Sequence, residues 1–355
     1  MKLKLPLSLI ICLTVISCSQ WKVTDISSRN YAFIKNGTGP GEIVLKTDDL
    51  GLENMSFDIG IYNNRIITVD NTLKRVQVLD SDGKTQVIIG SGSKSKDDIY
   101  RFVPFRFSII GQIYIDNYHN IYVQNRFTRS GSGKWDQNGH KMSFSPSYIL
   151  VFNSDGELQY TLGRKGTPDI PFYHIEDLSA DERGRLFVIT RSFDTWDVFR
   201  FSGKKRDFYT NLGELSFEER VDSNLYKGRI ENVKTFNDGE RILISVSYYH
   251  GLRLKYRKIF EYSLPAKKIV RMVQQIPDPK NVLFNIVDDK YIYFWNLYNG
   301  EVKFMVCNMK GDIINNILME FNQGNNFYTR VMGDPSGKLY SYSVTRSGVE
   351  IMEWE

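Results

Sequence analysis

Residues 75–90 read RVQVLDSDGKTQVIIG, and residues 148–163 read YILVFNSDGELQYTLG. Each is an alternating apolar run, a Ser-Asp-Gly turn, and a second alternating run that ends in glycine. Period-two alternation bounded by turn residues marks a half-buried strand. Asp-Gly at a short connection marks a hairpin whose glycine takes the left-handed conformation. The same hairpin twice within one chain points to a repeated unit.

The unit is wider than the hairpin. Before it come a polar turn and a β-rich strand, as YNNRIITVDN (62–71), DNYHNIYVQN (116–125) and DERGRLFVIT (181–190). The same pair returns as NDGERILISV (237–246), DDKYIYFWN (288–296) and DPSGKLYSYSV (334–344). A third strand follows each time, from RVQVLDSDGK to the terminal EIMEWE. Six units result, with second strands starting near 65, 121, 186, 242, 291 and 339. One such unit has two apolar faces and cannot bury them alone. Stacked radially, the units bury them against neighbours, so the expected fold is all-β, a six-bladed β-propeller. The competing arrangement is a pair of β-sandwiches.

The sixth unit stops after its third strand, VEIMEWE, while YAFIKNGTGPGEIVLK (31–46) stands unpaired near the other end. That orphan matches the segments following the other hairpin turns, so it is expected to complete the last blade and close the ring. An open edge there would be an aggregation hazard. The expected organisation is 1–17 signal peptide, 18–30 tether and 31–355 propeller.

The pattern joining IYV, VFNSDGE and GRKG resembles the NHL-repeat family of six-bladed propellers, as does Gly-x-Gly-Pro-Gly-Glu at 37–42. The likeness spans about 31–355 and is strongest in the first two units; SLPAK in the fourth lacks the turn glycine. It implies the propeller fold and a binding or scaffold role. Some relatives of that type bind RNA on a basic face.

The first residues, MKLKLPLSLIICLTVISCSQ, carry Lys2 and Lys4 and then an apolar run from Leu5 to Ser17. The run is short for a bilayer span. Its end, VISC, resembles the bacterial lipobox, which implies cleavage before Cys18 and acylation of that residue. An ordinary signal peptide or a short anchor helix is the alternative. Cleavage would lower the formal charge from +5 to +3 by removing Lys2 and Lys4. That balance, and an envelope location, argue against a nucleic-acid partner. Cys307 would be the one cysteine of the folded body, in a strand pattern where a buried, inert thiol is expected.

In a four-stranded blade the first–second and third–fourth turns lie on one face of the disc, and all other connections lie on the other. Here the first kind is uniformly tight, and the second holds the insertions at 91–108, 126–147, 164–174 and 213–230. Long loops in a compact domain are commonly functional. Their Arg101, Phe105, Arg106, Arg126, Arg129, Trp135 and Lys141 are the candidate partner-binding residues, of the types favoured at interface centres. A mobile, merely solubilising flap is the alternative reading of the Gly/Ser run at 130–133. Ser216 and Glu219 in SFEERVDSNLY form a capping-box pattern, so a short helix is expected there.

No catalytic constellation stands out. His119, His140, His174 and His250 lack ligand spacing, and no nucleophile elbow, Walker loop or Cys-x-x-Cys is present. Calcium-dependent propeller lactonases gather Asn, Asp and Glu about the channel, and Asp70, Asn71, Asn125 and Asn296 follow second strands. That hydrolase is the alternative function. The leading expectation is a lipid-anchored envelope propeller that binds a protein, as an accessory of an envelope assembly complex, with no cofactor.

Overall fold

The computed structural model describes residues 23–45, 57–92, 99–126, 147–163, 172–192, 195–298, 301–321, 328–334 and 336–355, plus the backbone of 134–135 and 141–142. These residues build six blade sheets, antiparallel but for one outer strand in each of two, arranged as a six-bladed propeller, and one small two-stranded sheet. The second strands begin at Arg65, Ile121, Leu186, Arg241, Tyr291 and Leu339, within one residue of the positions read from the repeat.

Alternation does the work in each blade. In blade one, Arg65–Asp70 and Arg75–Leu79 are flanked by sheets on both sides, and their β-branched residues are buried on both faces. Val76, Val78, Val87 and Ile89 pack on Ile113, Ile121, Val123 and Leu150 of blade two. Leu79, Ile59 and Ile61 pack the other way, on Ile34, Tyr342 and Ile351 of blade six. Each fully buried aliphatic side chain contributes about 1.5–3 kcal/mol. Every blade therefore depends on both neighbours.

The ring closes where the repeat count demanded, with shifted boundaries. Ser28–Lys35 pairs antiparallel with Gly348–Trp354, from Ser28 opposite Trp354 to Lys35 opposite Gly348. Arg29 donates through Nε and Nη2 to the buried Glu353 carboxylate at 3.1 and 2.7 Å, which also meets Lys338 Nζ at 3.1 Å. The expected strand at 31–46 is thus a strand only to Lys35. Residues 37–42 instead form a loop held by blade one: Arg75 donates to the Thr38, Gly39 and Glu42 carbonyls at 2.9, 2.8 and 2.7 Å. Gln77 accepts from the Gly41 amide and donates to the Glu42 carbonyl. Side-chain donors on a third strand thereby satisfy a backbone that has no ladder partner.

Part of the expected tether belongs to the body. Val23–Asp25 runs parallel to Ile313–Met319 as a fifth, outermost strand of blade five, and Ser28–Asn30 already lies in the closing strand. Cys18 lies outside the described residues.

The helix expected at 216–226 is a hairpin. Glu218–Val221 pairs with Asn224–Thr235 across Asp222 and Ser223, both at positive φ (48° and 67°). That two-residue turn matches the twist of its strands. Glu219, the presumed cap partner, instead holds Lys258 and the Tyr256 hydroxyl. Tertiary partners override a local capping pattern worth about 1 kcal/mol.

The tight turns are also packing devices. Gly156, at φ 79°, seats the third–fourth turn of blade two against Val87, Ile89 and Val103 of blade one; an added Cβ would lie 2.8 Å from Val87. Gly203, at φ 57°, has nothing within 4 Å of that position. Gly156→Ala is expected to destabilise by roughly 2–4 kcal/mol, combining backbone strain with overpacking, while Gly203→Ala costs only the strain, about 1–2 kcal/mol. Urea unfolding of the two variants checks the ordering. Removing residues up to Lys35 bares the edge of Gly348–Trp354, so calorimetry should show a lower melt for the whole ring, with self-association by size exclusion. An unchanged melt would show that the closing strand is dispensable.

Candidate functional site

Strand direction assigns the connections to two faces. Among the described residues, first–second and third–fourth turns are short, as at Asn63–Asn64 and 80–84, whereas long connections leave from the opposite face. The candidate residues distribute over that frame unevenly.

Arg101 is not on the loop-bearing side. Arg101–Pro104 is a fifth strand of blade one, parallel to Thr85–Gly90, with Arg101 beside Val87. This sets its guanidinium on Glu157, with Asp155 at 3.6 Å, beside the tight third–fourth turn of blade two. The 91–108 connection therefore crosses back along the rim, because its apolar Val103 and Phe105 fill the seam between blades. Phe105 is half-buried against Phe107 and Phe152, with ring centroids at 4.7 and 5.3 Å. It is a packing residue. Arg106, next to it, is exposed.

Arg126 ends the second strand of blade two and folds inward. Its Nη2 donates to Gln124 at 3.3 Å, its buried Nε has no hydrogen-bond partner, and the guanidinium covers Gly111. Burial pushes its pKa down. It is half structural, and a charge reversal there would disturb the strand. The backbones of Lys134–Trp135 and Lys141–Met142 form a small hairpin within the blade-two insertion. Arg129 lies outside the described residues.

The candidate metal residues do not converge. Asp70 is buried and accepts from the Val44 and Leu73 amides. Asn71 exchanges two bonds with the backbone of Ile110. Asn125 accepts from the Ser108 amide and bonds the Tyr148 hydroxyl, and Asn296 donates to Asn281. Each ties down a local loop, as Asn and Asp at strand ends commonly do. Among the described residues, no group of three or more His, Cys, Asp or Glu side chains is placed to hold a metal. Cys307 is fully buried, and burial pushes its thiol up to about 12, which keeps it protonated and unreactive.

Sequence reasoning considered the central channel but not the residues that line it. Inner strands of all six blades line a hollow of about 280 Å³. Asp58 of blade one accepts from Arg330 of blade six at 2.8 Å, and Lys234 of blade four donates to Asp177 of blade three at 2.6 Å. Burial raises the Asp58 carboxyl, and Arg330 opposes that shift. Burial alone would lower the Arg330 guanidinium, but the charge of Asp58 holds it above its ordinary value. These pairs link neighbouring blades through their charges. Their residues are scattered singly over six units, so no local motif announces them.

A second hollow, about 680 Å³, opens on the loop-bearing side between blades three and four. Trp196, Leu212 and Phe217 form its apolar floor, and Lys227, Arg229 and Tyr249 line its other wall. Arg191 lies over Trp196 at 5.6 Å and Arg229 over Tyr249 at 5.9 Å. The aromatic-basic chemistry expected of the long loops is thus realised here, on residues outside the candidate set.

No family model matches the chain, and no curated protein does. Among solved structures, a Bacteroides caccae protein of unknown function is similar with a TM-score of 0.41 and 12% identity, covering 74% of this chain and 82% of its own. A Bacteroides fragilis protein, provisionally designated as exported, has a TM-score of 0.43 and 12% identity, covering 93% of this chain and 95% of its own.

Proposed function

We propose that this protein is a lipid-anchored, NHL-type propeller of the bacterial envelope that binds a protein partner through its loop-bearing face, as an accessory of an envelope assembly complex. The observation that supports this most is the segregation of connections. One face carries tight turns that pack blade on blade, and the other carries the long insertion of blade two and the basic-aromatic hollow beside blade four. A fold needs only the first set. The second is free to serve recognition, as loops on a rigid scaffold commonly do.

The membrane half of the reading rests on the leader, with Cys18 where the apolar run ends. Four residues separate it from Val23, the first strand residue on the rim of blade five. Such a tether would keep the body within about 20 Å of the bilayer surface. Cys18→Ala should move the protein from the detergent phase to the aqueous phase in a detergent partition. Continued detergent-phase recovery would refute lipid anchoring.

The partner half is tested on residues of the long connections. Arg106→Glu, Arg129→Glu and Trp135→Ala together should abolish capture of the partner in a detergent pull-down, with the melting temperature nearly unchanged. An anchor cluster of this kind contributes about 2 kcal/mol or more, roughly thirtyfold in affinity. Lys84→Glu, on an exposed tight turn, should leave capture intact. Loss of capture on Lys84→Glu, with retention by the loop variant, would place the partner on the other face.

A further inference from the structure

Blade four is longer than the rest. Its first three strands, Asn224–Thr235, Arg241–His250 and Arg253–Ser263, have 12, 10 and 11 residues. Blade one, by contrast, uses 6, 6 and 5. Near 3.3 Å per residue, the excess of four to six residues carries the sheet roughly 13–20 Å further than that of blade one. It projects on the loop-bearing side, where both of its apical turns lie, Asp222–Ser223 and Gly251–Leu252. Continuing the register from Lys227 opposite Tyr249 sets Leu225 opposite Gly251, so the two turns share one tip.

Of the two turns at the tip, Asp222–Ser223 is polar, as turns ordinarily are, while Gly251–Leu252 presents an apolar side chain. Leu252 is 100% exposed, in the second position of a turn that Gly251 opens at φ 61°. Val221 and Leu225 beside it are 38% and 39% exposed. Exposed Arg220, Lys227, Arg253 and Lys255 lie on the strands next to these three aliphatic side chains, and exposed Glu218 and Asp222 offset part of that charge, leaving the tip net cationic. Behind them, towards the disc, lies a collar of tyrosines: Tyr226 meets Tyr256 at 5.6 Å, Tyr248 stacks on Tyr256 at 5.2 Å, and Tyr249 is on the adjoining face. Lys258 sits over the Tyr248 and Tyr256 rings and is fixed by Glu219.

We infer that the tip of blade four is a docking point for an anionic lipid bilayer. An aliphatic apex flanked by exposed lysines and arginines is the composition of segments that insert shallowly into an anionic membrane surface. Shape separates this occupant from a protein. Three aliphatic side chains on a protruding point fall far short of the roughly 800 Å² per partner of a stable protein interface. A fluid bilayer accepts a small wedge supported by charge. Position agrees: Val23, where the chain enters the fold, is on the rim of blade five, next to blade four. The inference rests on the envelope reading for location alone. It adds a second membrane contact, made by blade four, to the acyl anchor.

The test uses the chain from Ser19 to Glu355, which has no acyl anchor and keeps the whole folded body. Co-sedimentation with phosphatidylglycerol–phosphatidylcholine vesicles should exceed that with pure phosphatidylcholine vesicles at least tenfold in apparent affinity, and it should weaken with salt. Leu252→Asp, and separately Arg253→Glu with Lys255→Glu, should each reduce binding tenfold or more without shifting the melt. Lys84→Glu should change nothing. Absence of binding by the parent chain, or equal binding by both tip variants, overturns the inference. So does loss of a captured protein on Leu252→Asp when the parent chain ignores vesicles, which assigns the tip to a protein. Failure of lipid anchoring would show separately, in the Cys18→Ala partition.

Discussion

Ring closure governs everything else in this molecule. A propeller blade has apolar side chains on both faces, so a gap anywhere in the ring exposes two surfaces at once. The gap is sealed by seven paired positions between Ser28–Lys35 and Gly348–Trp354, drawn from opposite ends of the chain. Arg29 on Glu353 fixes their register. A one-residue slip would turn Ile34 out of the blade one–blade six core and Phe33 into it.

Closure then fixes how the two faces differ. Turn glycines such as Gly156 and Gly311 bring one blade's hairpin onto the preceding blade at distances that no side chain permits. Variation is excluded where those turns lie. Connections on the other face meet no such requirement, and there the chain places its insertion in blade two and its extension of blade four. The packing that makes the first face rigid leaves the second free to vary.

The channel illustrates what radial assembly adds. Asp58 and Arg330 are 272 positions apart, yet they meet at 2.8 Å because the first and last blades are neighbours in the ring. Asp177 and Lys234 repeat the arrangement between blades three and four. Opposite charges on inner strands satisfy one another and keep the channel polar.

The repeat period, the hairpin turns and the missing fourth strand of the last unit are local facts, and they were enough to determine the fold, the starts of the second strands and closure by an N-terminal strand. Period-two alternation and turn chemistry act within a few residues, so they can be read from the chain. The fate of particular side chains depended on contacts between units. Arg101 lies by the tight turns because the apolar residues after it fill a seam. Glu219 joins Lys258 rather than a helix amide because the 218–235 hairpin finds a sheet to extend. Arg75 looked like one more strand residue, yet it holds the 37–42 loop from the opposite end of the same blade pair. The lengthened fourth blade and its exposed Leu252 follow the same rule. Its strands carry alternating charges, but how far they run beyond the disc was visible only in the folded sheet.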